Sequence, residues 1–205
     1  MTLISSKNSN KSDIKNTKKI YIMMNKPSGY VCSAVSDSHK TVYELLPEHL
    51  QQLVTLPKRG EKLHTVGRLD CDTSGLLLFT TDGFFSHSLT SPEFNIKKTY
   101  LATLKQSGNE SYIKKACEGL ILPAEKKAPE QKSQPAVLIP LDKDFLKWQI
   151  TVTEGKFHEV RRTFLALQNE VETLQRIRIG KMELPQDLHE GDFRYFNPQD
   201  FFQTS

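Results

Sequence analysis

The sequence predicts an α+β fold built on a mainly antiparallel sheet. Short apolar runs bounded by Gly, Pro, Asp or Ser recur at hairpin-like spacing. Between them lie a few stretches whose apolar residues fall at helical spacing. No repeat at a fixed period is present.

Residues 1–18 are rich in Ser, Asn, Thr and Lys and lack an apolar period, so a disordered tail is expected there. One folded domain is then expected over residues 19–205. Ile20 to Met23 alternates as a strand, Lys26-Pro27-Ser28-Gly29 is a turn, and Tyr30–Val35 reads as a second strand. Thr41 followed by Glu44 has capping-box spacing for a short helix to Leu46. His64–Val66 is a strand leading into a charged loop, and Leu76–Thr81 is a buried strand ended by Asp82-Gly83. A short helix is expected over Phe84–Thr90, a strand over Lys97–Leu104, and a helix over Glu110–Glu118 with Gly119 just past its end. The Pro- and Lys-rich residues 123–135 read as loop. Ala136–Leu141 and Lys147–Thr153 are strands. Phe157, Val160, Phe164 and Leu167 put a helix over Lys156–Gln168, and Val171–Ile179 returns as a strand.

Composition narrows the function classes. The chain is long enough to bury a core without disulfides or metals, and no apolar run is long enough to span a bilayer or serve as a signal peptide. The net charge of +4 is carried by residues 1–19, where Lys7, Lys11, Lys15, Lys18 and Lys19 face Asp13 alone. The body is balanced, so any polyanion must be bound by a local patch. Cys32, Cys71 and Cys117 are odd in number and far apart, which argues against zinc or a disulfide framework and suits a reducing cytoplasm.

The segment Gly67-Arg68-Leu69-Asp70-Cys71-Asp72-Thr73-Ser74-Gly75 sets charged and small residues between apolar strands, a usual place for a site. Read alone, Asp70 and Asp72 share one face of an extended chain and suit a metal, or Asp72 caps the turn through Thr73 and Ser74. Tyr100 read alone is a half-buried strand residue, and Arg161 with Arg162 is a solvated basic helix face. His64, His87 and His158 match no ligand spacing, and His64 and His87 are read as structural.

The stretch Gly67–Gly83, GRLDCDTSGLLLFTTDG, resembles the signature of pseudouridine synthases of the RsuA/RluA superfamily. Four further pieces agree in order: Asn25-Lys26-Pro27-Ser28-Gly29-Tyr30, Lys98-Thr99-Tyr100, Glu154 through Arg162 (EGKFHEVRR), and Arg176-Ile177-Arg178-Ile179-Gly180 with Gly191-Asp192-Phe193-Arg194. Gly29 to Ser33, Ser86-His87 and Thr90-Ser91-Pro92 look most like the branch acting on small-subunit ribosomal RNA.

The resemblance implies a mixed, largely antiparallel sheet with flanking helices and a cleft between two lobes. It implies isomerisation of one uridine to pseudouridine without a cofactor. Asp70 would be the catalytic carboxylate. Arg161 would be its ion-pair partner, and Arg162 a phosphate contact. Arg68 would fill the space left by the flipped base, Tyr100 would stack on the uracil or act as acid or base, and Val160 and Leu77 would wall the pocket. Lys26, Lys98 and Arg178 are further candidates for phosphate contact.

Most members of that branch carry an N-terminal S4 RNA-binding domain, for which the residues before Asn25 are too few. Glu159 stands where the family often has Gln. The expected partner is ribosomal RNA or an assembling small subunit, with no membrane, in the cytoplasm, and the chain is expected to be monomeric. The same chemistry on large-subunit RNA, and a non-catalytic RNA-binding assembly factor, remain alternatives at this level. A metal-dependent nuclease using Asp70 and Asp72 is disfavoured because no further ligands cluster nearby.

Overall fold

The computed structural model describes residues 19–57, 61–125 and 127–202. The expected tail over residues 1–18 lies outside them.

The principal sheet takes its path from β1 (Tyr21–Lys26), β3 (Thr73–Thr80), β4 (Lys98–Leu104), β7 (Val137–Pro140), β8 (Lys147–Val152), β9 (Val171–Ile179) and β11 (Phe193–Tyr195). Their spatial order is β11-β1-β3-β9-β4-β8-β7. β2 (His64–Val66) pairs with β3, and β10 (Met182–Glu183) with β9. Only β3 and β9 run parallel, so the sheet is mixed and largely antiparallel. A separate small ladder joins β5 (Ile121–Leu122) and β6 (Gln131–Lys132). The helices are α1 (Glu48–Thr55), α2 (Gly83–Thr90), α3 (Ser111–Cys117), α4 (Glu159–Ala166) and α5 (Gln199–Phe202).

The continuous run Leu76-Leu77-Leu78-Phe79 lies in a strand buried on both faces. Leu77 and Phe79 belong to the larger core with Trp148, Ile150, Phe164 and Leu174. Leu76 and Leu78 belong to the smaller one with Phe85, Leu89 and Ile179. Each side chain of that run is fully buried, as period-two alternation in a covered strand requires. Leu77 is therefore core rather than a pocket wall.

Several elements differ from expectation. Tyr30–Val35 is not a strand: Val31 makes one isolated bridge to Thr41, and Val35 projects into solvent. Apart from that bridge no neighbouring strand pairs with it. α1 was not anticipated, and the expected loop 123–135 contains β6. Thr73 and Ser74 extend β3 at its start because they pair in parallel with Leu174 and Gln175. α4 starts at Glu159 rather than Lys156, because His158 sits in the left-handed region (φ 48°, ψ 33°) and cannot continue a helix. Near Thr41 the expected short helix is a 3-10 turn, Val42–Leu45, and the Thr41 N–H donates to Glu44 Oε1 at 2.7 Å.

Gly75 is the tightest point of the sheet. Its φ is +101°, and a Cβ there would stand 2.2 Å from the Arg176 carbonyl oxygen and 2.7 Å from its nitrogen. Gly29 also has positive φ but has nothing within 4 Å of such a Cβ. Gly75→Ala is expected to cost about 2–4 kcal/mol, from overpacking plus backbone strain. Gly29→Ala carries only the backbone cost, about 1 kcal/mol. Urea unfolding of the two variants beside wild type measures the difference.

Candidate active site

The loop between β2 and β3 runs from Gly67 to Asp72 and opens onto a cavity of about 280 Å³. β4 and β9 contribute Tyr100, Leu174 and Arg176 to its lining. The turn before α4 contributes Phe157 and His158, and α4 itself Val160 and Arg161.

The loop is clamped from behind. Lys26, at the end of β1, is fully buried, and its Nζ donates to the carbonyls of Thr73 (2.7 Å), Pro27 (3.0 Å) and Cys71 (3.2 Å). Burial lowers its pKa, against the charges of Cys32, Cys71, Asp72 and Asp70. The Gly29 N–H also donates to the Cys71 carbonyl at 2.8 Å. Cys32 Sγ lies 3.4 Å from both the N–H and the carbonyl of Leu69. The backbone on both sides of Asp70 is thus fixed. Lys26 cannot reach a phosphate, contrary to the expectation from sequence.

Asp70 projects into the cavity with its side chain 36% exposed. Burial raises its pKa above the usual carboxylate range. His158 in its charged form is the largest influence pulling it back, Asp72 adds to the rise, and Arg161 and Lys26 oppose it. The closest ion-pair contact of Asp70 is His158, with Nε2 3.5 Å from Oδ1.

Arg161 does not pair with Asp70. Its Nη2 meets Asp72 Oδ2 at 2.8 Å, and its Nη1 donates to the Val171 carbonyl at 3.0 Å. Asp72 thereby uses its charge beside the cavity, while Arg161 still acts on Asp70 through space. Asp70 and Asp72 thus have separate partners and form no joint ligand pair. Among the described residues, no three His, Cys, Asp or Glu side chains gather closely enough to hold a metal ion.

Arg162 is a second correction. It is fully buried and donates to the carbonyls of Pro129 (2.6 Å), Pro123 (2.8 Å), Phe157 (3.2 Å) and Leu122 (3.4 Å). It ties the β5–β6 loop to α4 and has no surface for a phosphate. Arg178 is exposed and ion-pairs with Glu183. Lys98 donates to the Glu154 carbonyl at 2.9 Å inside the cavity wall. Glu159 is buried and accepts from the Gly155 and Lys156 N–H groups, so its charge is spent on its own turn. Arg68 is exposed and lines the cavity; Val160 is buried in its wall.

Tyr100 is at the cavity floor, almost fully buried. Burial pushes its hydroxyl pKa up, and the Arg176 guanidinium that hydrogen-bonds it opposes that shift. It is therefore a neutral ring with a held hydroxyl. Arg176 is the residue missed from sequence as part of the site. It is buried, its Nε donates to the Leu76 carbonyl at 2.8 Å, and its Nη2 has no protein partner. An arginine in the inward phase of an alternating strand, two after Leu174, was the available signal. A register shift between Thr99 and Tyr100 sets Tyr100 opposite Arg176, and such irregularities re-aim side chains at sites.

The cavity thus offers a partly buried carboxylate, a flat ring and an unpaired guanidinium nitrogen within a lining of mixed polar and apolar residues. That suits a flat, polar ligand with acceptor oxygens, approached by a charge that water screens poorly.

Comparison with known proteins gives consistent results. Residues 20–166 match the family described as RNA pseudouridylate synthase. The chain is 41% identical over 180 residues to the ribosomal small subunit pseudouridine synthase A of Pasteurella multocida, covering 88% of this chain and 71% of that protein. It is 42% identical over 174 residues to the protein of the same name from Haemophilus influenzae, covering 85% and 68%. A solved structure titled as a pseudouridylate synthase superposes with a TM-score of 0.78 at 39% identity, covering 90% of this chain and 73% of that one. A Cbf5-Nop10-Gar1 complex shares the fold at a TM-score of 0.52 and 18% identity.

Two outcomes follow from the site's electrostatics. Arg162→Leu leaves buried carbonyls unpaired and should cost about 3 kcal/mol or more, while the salt dependence of RNA binding stays unchanged. Denaturant unfolding and a salt titration check both halves. For Asp70, a raised folded pKa means that stability falls as pH rises through that pKa and stays lower above it. Asp70→Asn should therefore keep or raise the neutral-pH melting temperature, and the gain should vanish at acid pH below the ordinary carboxylate pKa.

Proposed function

The chain belongs to the RNA pseudouridylate synthase family, and from that premise we propose that it isomerises one uridine of small-subunit ribosomal RNA to pseudouridine, with Asp70 as the catalytic carboxylate. The observation that carries the residue assignment is the placement of Asp70: a clamped carboxylate facing a cavity floored by Tyr100.

The uridine must leave its stack before any side chain can reach it. The exposure of Arg68 at the cavity supports its filling the gap that the base leaves. Tyr100 offers its ring to the uracil face, and the unpaired Nη2 of Arg176 offers a donor to a uracil or ribose oxygen. Asp70 then acts on the sugar, as a nucleophile or as a base. The bond from C1′ to N1 breaks, the base turns, and C1′ joins C5. N1 ends with a proton and C5 gives one up, so substrate and product are isomers. An ionised carboxylate stabilises positive character at the sugar or forms the adduct, and its partial burial strengthens either effect.

Relatives named for the small ribosomal subunit, at about 40% identity over most of this chain, support the choice of RNA. No helix among the described residues is long and apolar enough to cross a membrane. The cavity is built within one chain, which suits a monomer, and the substrate places the protein in the cytoplasm with ribosomal RNA or an assembling small subunit as partner.

The test is to incubate the protein with small-subunit RNA, large-subunit RNA and partly assembled small subunits. Pseudouridines are then mapped by carbodiimide-dependent reverse-transcription stops. One new stop in small-subunit RNA or particles is expected. A stop confined to large-subunit RNA would overturn the substrate, and none in any RNA that the protein binds would overturn the activity.

A further inference from the structure

We infer that His158 is a positioning residue for Asp70: held by Glu125, it presents a proton to the Asp70 carboxylate and keeps that carboxylate ionised in its partly buried setting. The inference rests on the reading of Asp70 as the catalytic carboxylate.

The geometry is a relay of three side chains. Glu125 Oε2 lies 2.8 Å from His158 Nδ1, and His158 Nε2 lies 3.5 Å from Asp70 Oδ1. A carboxylate only accepts hydrogen bonds, so the contact with ionised Glu125 puts a proton on Nδ1. The opposite nitrogen then faces Asp70. Were Nε2 bare, its lone pair would point at an anion. A second proton shared between His158 and Asp70 removes that repulsion. With it on the ring, Asp70 is ionised and ready; with it on Asp70, the carboxylate is quenched.

The ring is fixed rather than loosely placed. His158 holds the left-handed backbone conformation, an unusual state for a residue of its size and one that tends to persist at functional sites. Phe157 stacks on the imidazole, with ring centroids 3.8 Å apart and an interplanar angle of 18°. Glu125 is itself anchored, since its N–H donates to the Ala128 carbonyl and the Ala128 N–H donates back. Arg162 grips the same loop through the carbonyls of Leu122, Pro123 and Pro129. The buried arginine thus acts on the site at one remove, by fixing the loop that holds Glu125.

The charged surroundings are accounted for on every side. From its own loop and from α4 and β1, Asp70 faces Asp72, Arg161 and Lys26 besides His158. Asp72 is taken up by Arg161, and Lys26 by backbone carbonyls. On the turn preceding α4, Lys156 pairs with Glu154, and Glu159 accepts from backbone N–H groups. His158 is therefore the basic side chain in closest contact with Asp70.

The experiment combines a titration that needs no turnover with one that does. Protein labelled with ¹³C at aspartate carboxyls is titrated by NMR, with Asp70→Asn assigning the Asp70 signal. In His158→Leu the Asp70 midpoint should move up by about one pH unit or more, and in His158→Gln, which restores a neutral donor, by less. Single-turnover rates of pseudouridine formation at saturating RNA should show the acid limb moving in step, since Asp70 works ionised. Glu125→Ala, whose side chain is outside the cavity wall, should lower kcat about tenfold with KM unchanged, because a freed ring no longer holds its place. An Asp70 midpoint unmoved in His158→Leu would overturn the inference. So would variants of His158 and Glu125 that raise KM alone, since that marks an RNA contact. The carboxyl shift without any turnover by wild type would leave the inference standing and sink the pseudouridine reading instead.

Discussion

The site depends on a lysine with no access to water. Lys26 gives its three protons to carbonyls of the two segments it joins, the turn after β1 and the loop that bears Asp70. A charge buried without partners would be very costly, and a loop with unpaired buried carbonyls would be too. Each solves the other's problem. The result is a charged loop that holds a rigid shape at the edge of the cavity, which is what a carboxylate needs if it is to act without rearranging first.

The sheet supplies the other half of the site by the same logic of close approach. The parallel β3–β9 pair brings the Arg176 backbone against Gly75, where a side chain would not fit. From there Arg176 reaches the Leu76 carbonyl with one nitrogen and the Tyr100 hydroxyl with its guanidinium. The arginine thus couples β3, β4 and β9 at the point where the cavity floor must be flat. The acids in the region divide their partners: Asp72 takes Arg161, Glu159 takes backbone N–H groups, and Asp70 shares His158 with Glu125.

Much of this was legible in the sequence, and the failures are informative. The buried strand Leu76–Phe79, the strand bearing Tyr100 and the loop bearing Asp70 announce themselves through apolar continuity, alternation and turn residues. Tyr30–Val35 has the composition of a strand but lacks a neighbour along its length, and pairing is a tertiary fact. Arg161 and Arg162 are adjacent in sequence, yet one helical step separates an ion pair at the cavity from a fully buried clamp. Glu125 could not have been found, because the loop carrying it has no pattern and meets His158 only through the fold. Lys26 looks like a surface cation by residue type, and only its burial on specific carbonyls shows otherwise, whereas Arg176 carried a signal in its phase along β9.

The measurement closest to the central claim is tritium release from C5-labelled uridine in small-subunit RNA, comparing wild type with Asp70→Asn and Asp72→Asn. Asp72 is the control, since it lies two residues away, carries the same charge and is bound to Arg161 at the cavity's edge. The account predicts release by wild type, none by Asp70→Asn at undiminished RNA affinity, and substantial release by Asp72→Asn. Release by Asp70→Asn at the wild-type rate, or its loss only in Asp72→Asn, would contradict it.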